Sequence, residues 1–197
     1  VRRCNSGDFG PSAEVADGVF PIWLSPEQGG LIEDHLAPGF ARRSDGRTRA
    51  DFDVAPTVMV AVGDDVEACR RPVKEMLALY VGGMGARDRN FYNRYTRDMG
   101  YEAAAVAIQD LFLAGRREEA VQAVPDALVD EIALVGPLAR IRERAASWKR
   151  LGAEGRVGTL ILGMRQPEHL GAIAQILLGR ARRPRRSGAT SRRSRRP

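Results

Sequence analysis

The run Gly82-Gly83-Met84-Gly85 is the segment whose composition most directly suggests ligand chemistry. Backbone N–H groups freed of side chains can cradle an oxyanion. The context of this run argues otherwise. It follows a helical stretch and not a strand, it lacks the GxGxxG pattern, and no Lys-Ser or Lys-Thr comes after it. A helix C-terminus and turn is the better reading. Asp64-Asp65 offers adjacent carboxylates to a cation, but a helix cap explains the pair without a metal. His35 and His169 each lack a second ligand at metal spacing and are expected on solvent-facing helix surface, so no metal site is predicted. Trp23 and Phe91-Tyr92 could stack on a planar ring or serve as ordinary core aromatics. No catalytic residue is assigned.

These residues need elements to position them. Ala13 to Ala16 reads as the end of a helix, Gly18 to Trp23 as a short strand, and Ser25-Pro-Glu-Gln28 as a capping box opening a helix that runs to about Arg43. After a polar loop from Ser44 to Asp53, the run Val54 to Val62 is β-branched and apolar on both faces, as expected of a buried parallel strand with Pro56 near its beginning. Asp64 or Asp65 caps the next helix, whose apolar positions are Val66, Val73, Met76, Leu77 and Tyr80, and which Pro72 is expected to kink. From Ala86 to Arg150 the pattern is helical almost throughout. Val157 to Leu162 reads as a strand and Pro167 to Leu178 as the helix after it. The order is that of an α/β wound fold with a helical insertion.

Composition sets further bounds. The 197 residues, 44% of them hydrophobic, suffice for one domain with a core. Nine arginines lie between Arg180 and Arg196 with no acidic residue among them, and removing nine positive charges from the net +6 leaves −3. The basic character therefore belongs to the tail, which is low in complexity and expected to be disordered. Such a tail attracts phosphate without sequence preference and carries no aromatic residue for base stacking, so no specific nucleic-acid partner is expected. Binding of nucleic acid or an acidic partner through the tail is the alternative functional reading. Cys4 and Cys69 are far apart and outside any CxxC spacing, which fits a reducing cytoplasm. No apolar run approaches the ~20 residues that span a bilayer, so no membrane partner is expected.

Two stretches, Ala16-Asp-Gly-Val-Phe-Pro-Ile-Trp-Leu24 and Tyr80-Val-Gly-Gly-Met-Gly-Ala-Arg-Asp-Arg-Asn-Phe-Tyr-Asn93, resemble the C-terminal part of the luciferase-like monooxygenase family, particularly its members that use the deazaflavin F420. The resemblance covers roughly Ala13 to Leu178. It implies the C-terminal part of a TIM (β/α)8-type barrel with a helical insertion, incomplete because three predicted strands cannot close a barrel of eight. The organisation expected is an irregular segment over residues 1–12, a partial barrel over 13–178 and an arginine-rich tail over 179–197. The resemblance further implies an oxidoreductase acting on a small organic substrate with F420, or alternatively FMN, impaired if the chain acts alone. Active-site groups in such barrels lie at the C-terminal ends of strands, where Pro21, Trp23, Gly63 and Arg165 fall. Arg165 could pair with an anionic cofactor group, and Gly82, Gly83, Arg87 and Asn90 are candidates for lining the cofactor or substrate mouth. An open barrel edge leaves an oligomer open as an expectation.

Overall fold

The computed structural model describes residues 3–4 and 9–179. Every strand pairing among them is parallel. β1 (Arg3–Cys4) pairs with β2 (Gly18–Val19), and β2 pairs with β3 (Asp53–Val54). β4 (Thr57–Val62) lies between β5 (Leu134–Gly136) and β6 (Ile161–Met164). Prolines explain why these strands are shorter than the apolar runs that encode them, because proline has no N–H to give to a ladder. Pro21 ends the hydrogen-bonded part of the predicted Gly18–Trp23 strand, although its carbonyl still accepts from the Thr57 N–H at 2.9 Å. Pro56 divides the predicted Val54–Val62 strand into β3 and β4. The Ala55 N–H donates to the Val19 carbonyl at 2.8 Å, and the Ile161 N–H to the Pro56 carbonyl at 2.9 Å. These bonds carry one twisted surface across the break, in the order β1, β2, β3–β4, β6. It is part of a (β/α)8-type wall, and no closed barrel forms among the described residues.

Helices cover the strands. α1 (Phe9–Val15) precedes β2, α2 (Gly29–Arg42) follows it, and α3 (Val66–Gly83) follows β4. Between α3 and β6 lie α4 (Phe91–Asp98), α5 (Glu102–Leu113), α6 (Arg117–Gln122), α7 (Asp126–Ile132), β5 and α8 (Leu138–Ala153). α9 (Leu170–Leu178) follows β6 after a single 3-10 turn over Pro167–His169. One apolar core unites these layers, with Trp23, Leu77, Ile108, Leu128, Leu134, Ile141 and Trp148 essentially inaccessible to solvent.

Several expectations are corrected. The segment read as irregular over 1–12 contains strand β1 and the beginning of α1, so the helix before Asp17 starts at Phe9. Pro11 is tolerated because it sits in the first turn, where its missing N–H costs little. The short helix is held by packing: a Cβ built on Gly39 of α2 would lie 1.9 Å from the Gly10 carbonyl oxygen and 2.7 Å from the Ala13 Cβ. Only glycine permits this approach of two helices. The helical stretch from Ala86 to Arg150 is interrupted by β5, three buried residues, too few to show a period. The last strand occupies Ile161–Met164 and not Val157–Leu162, because the chain first bends at Gly158, whose N–H donates to the Val54 carbonyl at 3.2 Å. His35 is not a solvent-facing residue. It is half-buried against Phe9, Phe91 and Tyr95, at 6.0, 6.5 and 5.9 Å between ring centroids.

The expected capping box also works differently. The Ser25 hydroxyl accepts from the Gln28 N–H at 3.0 Å, but α2 begins only at Gly29. The Gln28 side-chain amide donates to the Met99 carbonyl at 3.0 Å and to the Glu131 carboxylate at 2.9 Å. Glu131 also accepts from the hydroxyls of Ser25 and of Tyr101, the latter at 2.7 Å. One carboxylate thus ties the loop after β2 to α7 and to the turn before α5. Burial, then the bond to Glu131, pushes the Tyr101 phenol well above its ordinary range. A second polar cluster joins α3 to α7 and α8, with Arg70 bidentate on Asp130 at 3.0 and 2.6 Å and Arg140 on the same carboxylate at 2.7 Å.

Candidate active site

The C-terminal ends of β4 and β6 lie side by side, and the chain leaving each builds the candidate site. Beyond Val62 the backbone passes Gly63, whose N–H donates to the Gly136 carbonyl at 3.2 Å. Asp65 then caps α3, accepting from the Ala68 N–H at 3.1 Å. This confirms the capping role read from the sequence and shows which of the two aspartates performs it. Beyond Met164 come Arg165 and Gln166. The Gln166 amide grips the Val62 backbone in both directions, accepting from its N–H and donating to its carbonyl, each at 2.8 Å. The side chain so extends the sheet by one residue pair and fixes the Arg165 turn beside Gly63.

From these ends a cavity of about 880 Å³ runs between the strands and the facing side of α3, as far along the helix as Leu79. Met59, Ala61, Pro72, Met76 and Met164 give it apolar walls, while Asp64, Asp65 and Arg165 stand at its polar rim. Its size falls in the range of ordinary small-molecule sites, which are mostly apolar with few polar groups. Arg165 is exposed and forms no ion pair among the described residues.

The other predicted positions lie elsewhere. Trp23 is buried in the core, tilted against Tyr92 at 5.0 Å and edge-on to Tyr80 at 5.9 Å. With Pro21 it borders only a crevice of about 10 Å³, too narrow for a ring to enter. Gly82 and Gly83 end α3 as the turn reading expects, and α5 covers them: an added Cβ would lie 2.5 and 2.4 Å from Phe112 atoms. Their smallness serves helix packing. Arg87 pairs with Asp110, and together with Asn90 it borders a separate cavity of about 360 Å³ at the C-terminal end of α3. Of the eight positions, only Gly63 and Arg165 line the strand-end cavity. Sequence reading passed over Gln166, for which no signal existed beyond its place just after a strand. No group of three or more His, Cys, Asp or Glu able to hold a metal ion occurs among the described residues.

A parallel strand wall covered by helices is the architecture of part of a (β/α)8-type fold. The family model for luciferase-like monooxygenases matches residues 11–155, so the chain belongs to that family. A Mycobacterium tuberculosis protein, Rv3520c, provisionally named a coenzyme F420-dependent oxidoreductase, is 39% identical over 148 residues, covering 75% of this chain and 43% of that protein. Among solved structures, the coenzyme F420-dependent tetrahydromethanopterin reductase from Methanopyrus kandleri superposes with a TM-score of 0.58 at 16% identity, over 83% of this chain and 44% of that one. That likeness is one of fold. The chain spans less than half the length of these relatives.

No helix among the described residues is long and apolar enough to cross a membrane. The arginine-rich tail, and with it the reading of a nucleic-acid or acidic partner, lies outside the described residues.

Proposed function

We propose that this chain supplies the strand-end cavity of an F420-dependent oxidoreductase acting on a small organic substrate, with FMN as the alternative cofactor. The observation that carries the reading is a large, mostly apolar cavity with the exposed guanidinium of Arg165 at its rim, in a chain 39% identical over 148 residues to a protein named for F420. These residues fit such a group: apolar walls suit a planar ring, and a cation carried on a turn tied to the strand end suits an anionic side chain. When bound, the cofactor supplies the hydride chemistry, while the protein binds, orients and shields.

The chain's own contributions follow from position. Arg165 holds an anionic group of the cofactor through charge-assisted hydrogen bonds. Gln166 keeps that arginine at the strand end by its grip on Val62. Met59, Ala61 and Met76 exclude water from the ring. Asp64 and Asp65 put negative charge at the same rim, which limits where an anion can settle.

Equilibrium titration of the full chain with F420 and with FMN, followed by cofactor fluorescence, tests this. Saturable F420 binding that weakens roughly tenfold in Arg165→Gln is expected. Saturable binding of neither cofactor overturns the proposal.

A further inference from the structure

The cavity bordered by Arg87 and Asn90 has the makings of a second ligand site. It holds about 360 Å³ at the C-terminal end of α3, and three guanidinium groups, those of Arg87, Arg94 and Arg97, line it. Arg87 is neutralised by Asp110. Arg94 and Arg97 are exposed and form no ion pair among the described residues. Arg94 lies over the Phe91 ring at 6.0 Å, and Arg97 donates through Nε to the Asn93 side-chain oxygen at 2.9 Å.

The floor of this cavity is built to a standard that a solvated helix face does not need. Asn90, Asn93 and Gln109 are at most 3% exposed. Asn93 donates to the Ala105 carbonyl at 2.7 Å and to the Val81 carbonyl at 3.3 Å, which leaves its oxygen to receive Arg97. Asn90 donates to the Tyr80 and Val81 carbonyls at 2.9 Å each, satisfying the end of α3. Gln109 donates to the Arg87 carbonyl at 3.4 Å. Arg97 is therefore held by a buried side chain whose own amide is fully bonded, and no partner among the described residues takes its terminal nitrogens. A long side chain ordered in advance binds with less entropy to lose.

We infer that this cavity is a binding site for a small anion bearing phosphate or carboxylate groups, held by Arg94 and Arg97 and separate from the strand-end cavity. Arg97, pinned at Nε, presents its Nη atoms as a fork suited to two oxygens of one anion. Asp88, also at the rim, sets a cost against a ligand of the wrong register.

The anion could be free or be the charged portion of a larger molecule, and two probes separate these sources. Inorganic pyrophosphate is titrated into the full chain by calorimetry at constant ionic strength, with F420 as the second titrant. Saturable pyrophosphate binding is expected, weakened roughly tenfold by Arg94→Gln and by Arg97→Gln and changed less than twofold by Arg165→Gln. Competition by F420 that survives Arg165→Gln assigns the site to an anionic part of the cofactor; absence of competition assigns it to a free anion. Arg94→Gln should leave the thermal melt unchanged, whereas Arg97→Gln removes the bond to the buried Asn93 side-chain oxygen and should lower it while the transition stays cooperative. Absence of saturable pyrophosphate binding, or equal binding by the parent and both arginine variants, overturns the inference.

Discussion

Replacing Gln166 by leucine separates an Arg165 that is positioned from one that is merely exposed. In the parent, two hydrogen bonds of 2.8 Å join the Gln166 amide to the N–H and carbonyl of Val62. Each contributes about 1 kcal/mol net, and an orphaned backbone group costs more where water cannot reach it. Val62 is only partly buried and borders the open cavity, so water recovers some of the loss. The expected destabilisation is about 1–2 kcal/mol, which for a domain of this size lowers Tm by about 2–8 °C. A circular-dichroism melt reads that quantity directly. F420 titration on the same sample should show weaker binding, because the Arg165 turn is no longer tied to the strand end. Gln166→Glu is the discriminating control, since it keeps an acceptor for the Val62 N–H but loses the donor to the Val62 carbonyl. A melt of Gln166→Leu superimposable on the parent would refute the reasoning, because water would then have replaced the amide at no cost.

Three further outcomes are expected. Gly39→Ala should cost about 1–3 kcal/mol, since neither the Gly10 carbonyl nor Ala13 can yield to the new methyl; an unchanged denaturant midpoint would contradict the close α1–α2 contact. Glu131→Gln places an amide donor where Ser25, Gln28 and Tyr101 all donate. It should destabilise by roughly 2 kcal/mol and leave a later Tyr101→Phe substitution nearly without effect; strict additivity in that double-mutant cycle would break up the cluster. Burial alone would raise the Asp130 carboxyl, but the hydrogen bonds from Arg70 and Arg140 win and hold it below the usual range, as Lys74 holds Asp126. Their stabilisation is complete above the ordinary carboxyl value of about 4 and is lost as pH falls through the lowered folded values. Asp130→Asn should therefore be less stable than the parent at neutral pH and lose less stability between about pH 4 and pH 2. Parallel acid-unfolding curves would assign the pair no role.

Much of the wall and its covering helices was legible because the signals are local. An aspartate ahead of an amphipathic run marks the start of α3, and β-branched apolar runs mark the buried parallel strands. Ile141, Ala145 and Trp148 recur at helical spacing and are all buried. What could not be read is decided across the fold. Nothing near Leu134–Gly136 announces a strand, because its partner Val60–Val62 lies about seventy residues away. The sequence allows Gln28 either to cap its own helix or to reach Glu131, and only the assembled loop decides. The glycines at 82 and 83 read as a turn, yet the reason for them is Phe112, almost thirty residues later. The strand-end positions Gly63 and Arg165 line the cavity beside α3, whereas the positions drawn from the Tyr80–Asn93 resemblance fall at another cavity or within a helix interface.

This separation constrains what one ligand can touch. Gln166 binds Val62, so Arg165 sits with Gly63 to Asp65 at the N-terminal end of α3. Asn90 binds the carbonyls of Tyr80 and Val81 at its C-terminal end. Eighteen residues at 1.5 Å each make the helix between them roughly 27 Å long. A compact anion cannot meet both arginine sites, and a ligand that did would have to be an extended, multiply charged chain running along α3. The apolar strand-end cavity suits a ring, and the Arg94–Arg97 cavity, with its polar floor and smaller volume, suits charge without a ring. Loss of affinity at one arginine site on mutation at the other would therefore require either such a chain or a movement of α3 as a rigid rod. The close packing of Gly82 and Gly83 against Phe112 anchors that helix to α5 and makes rigid movement the costlier of the two.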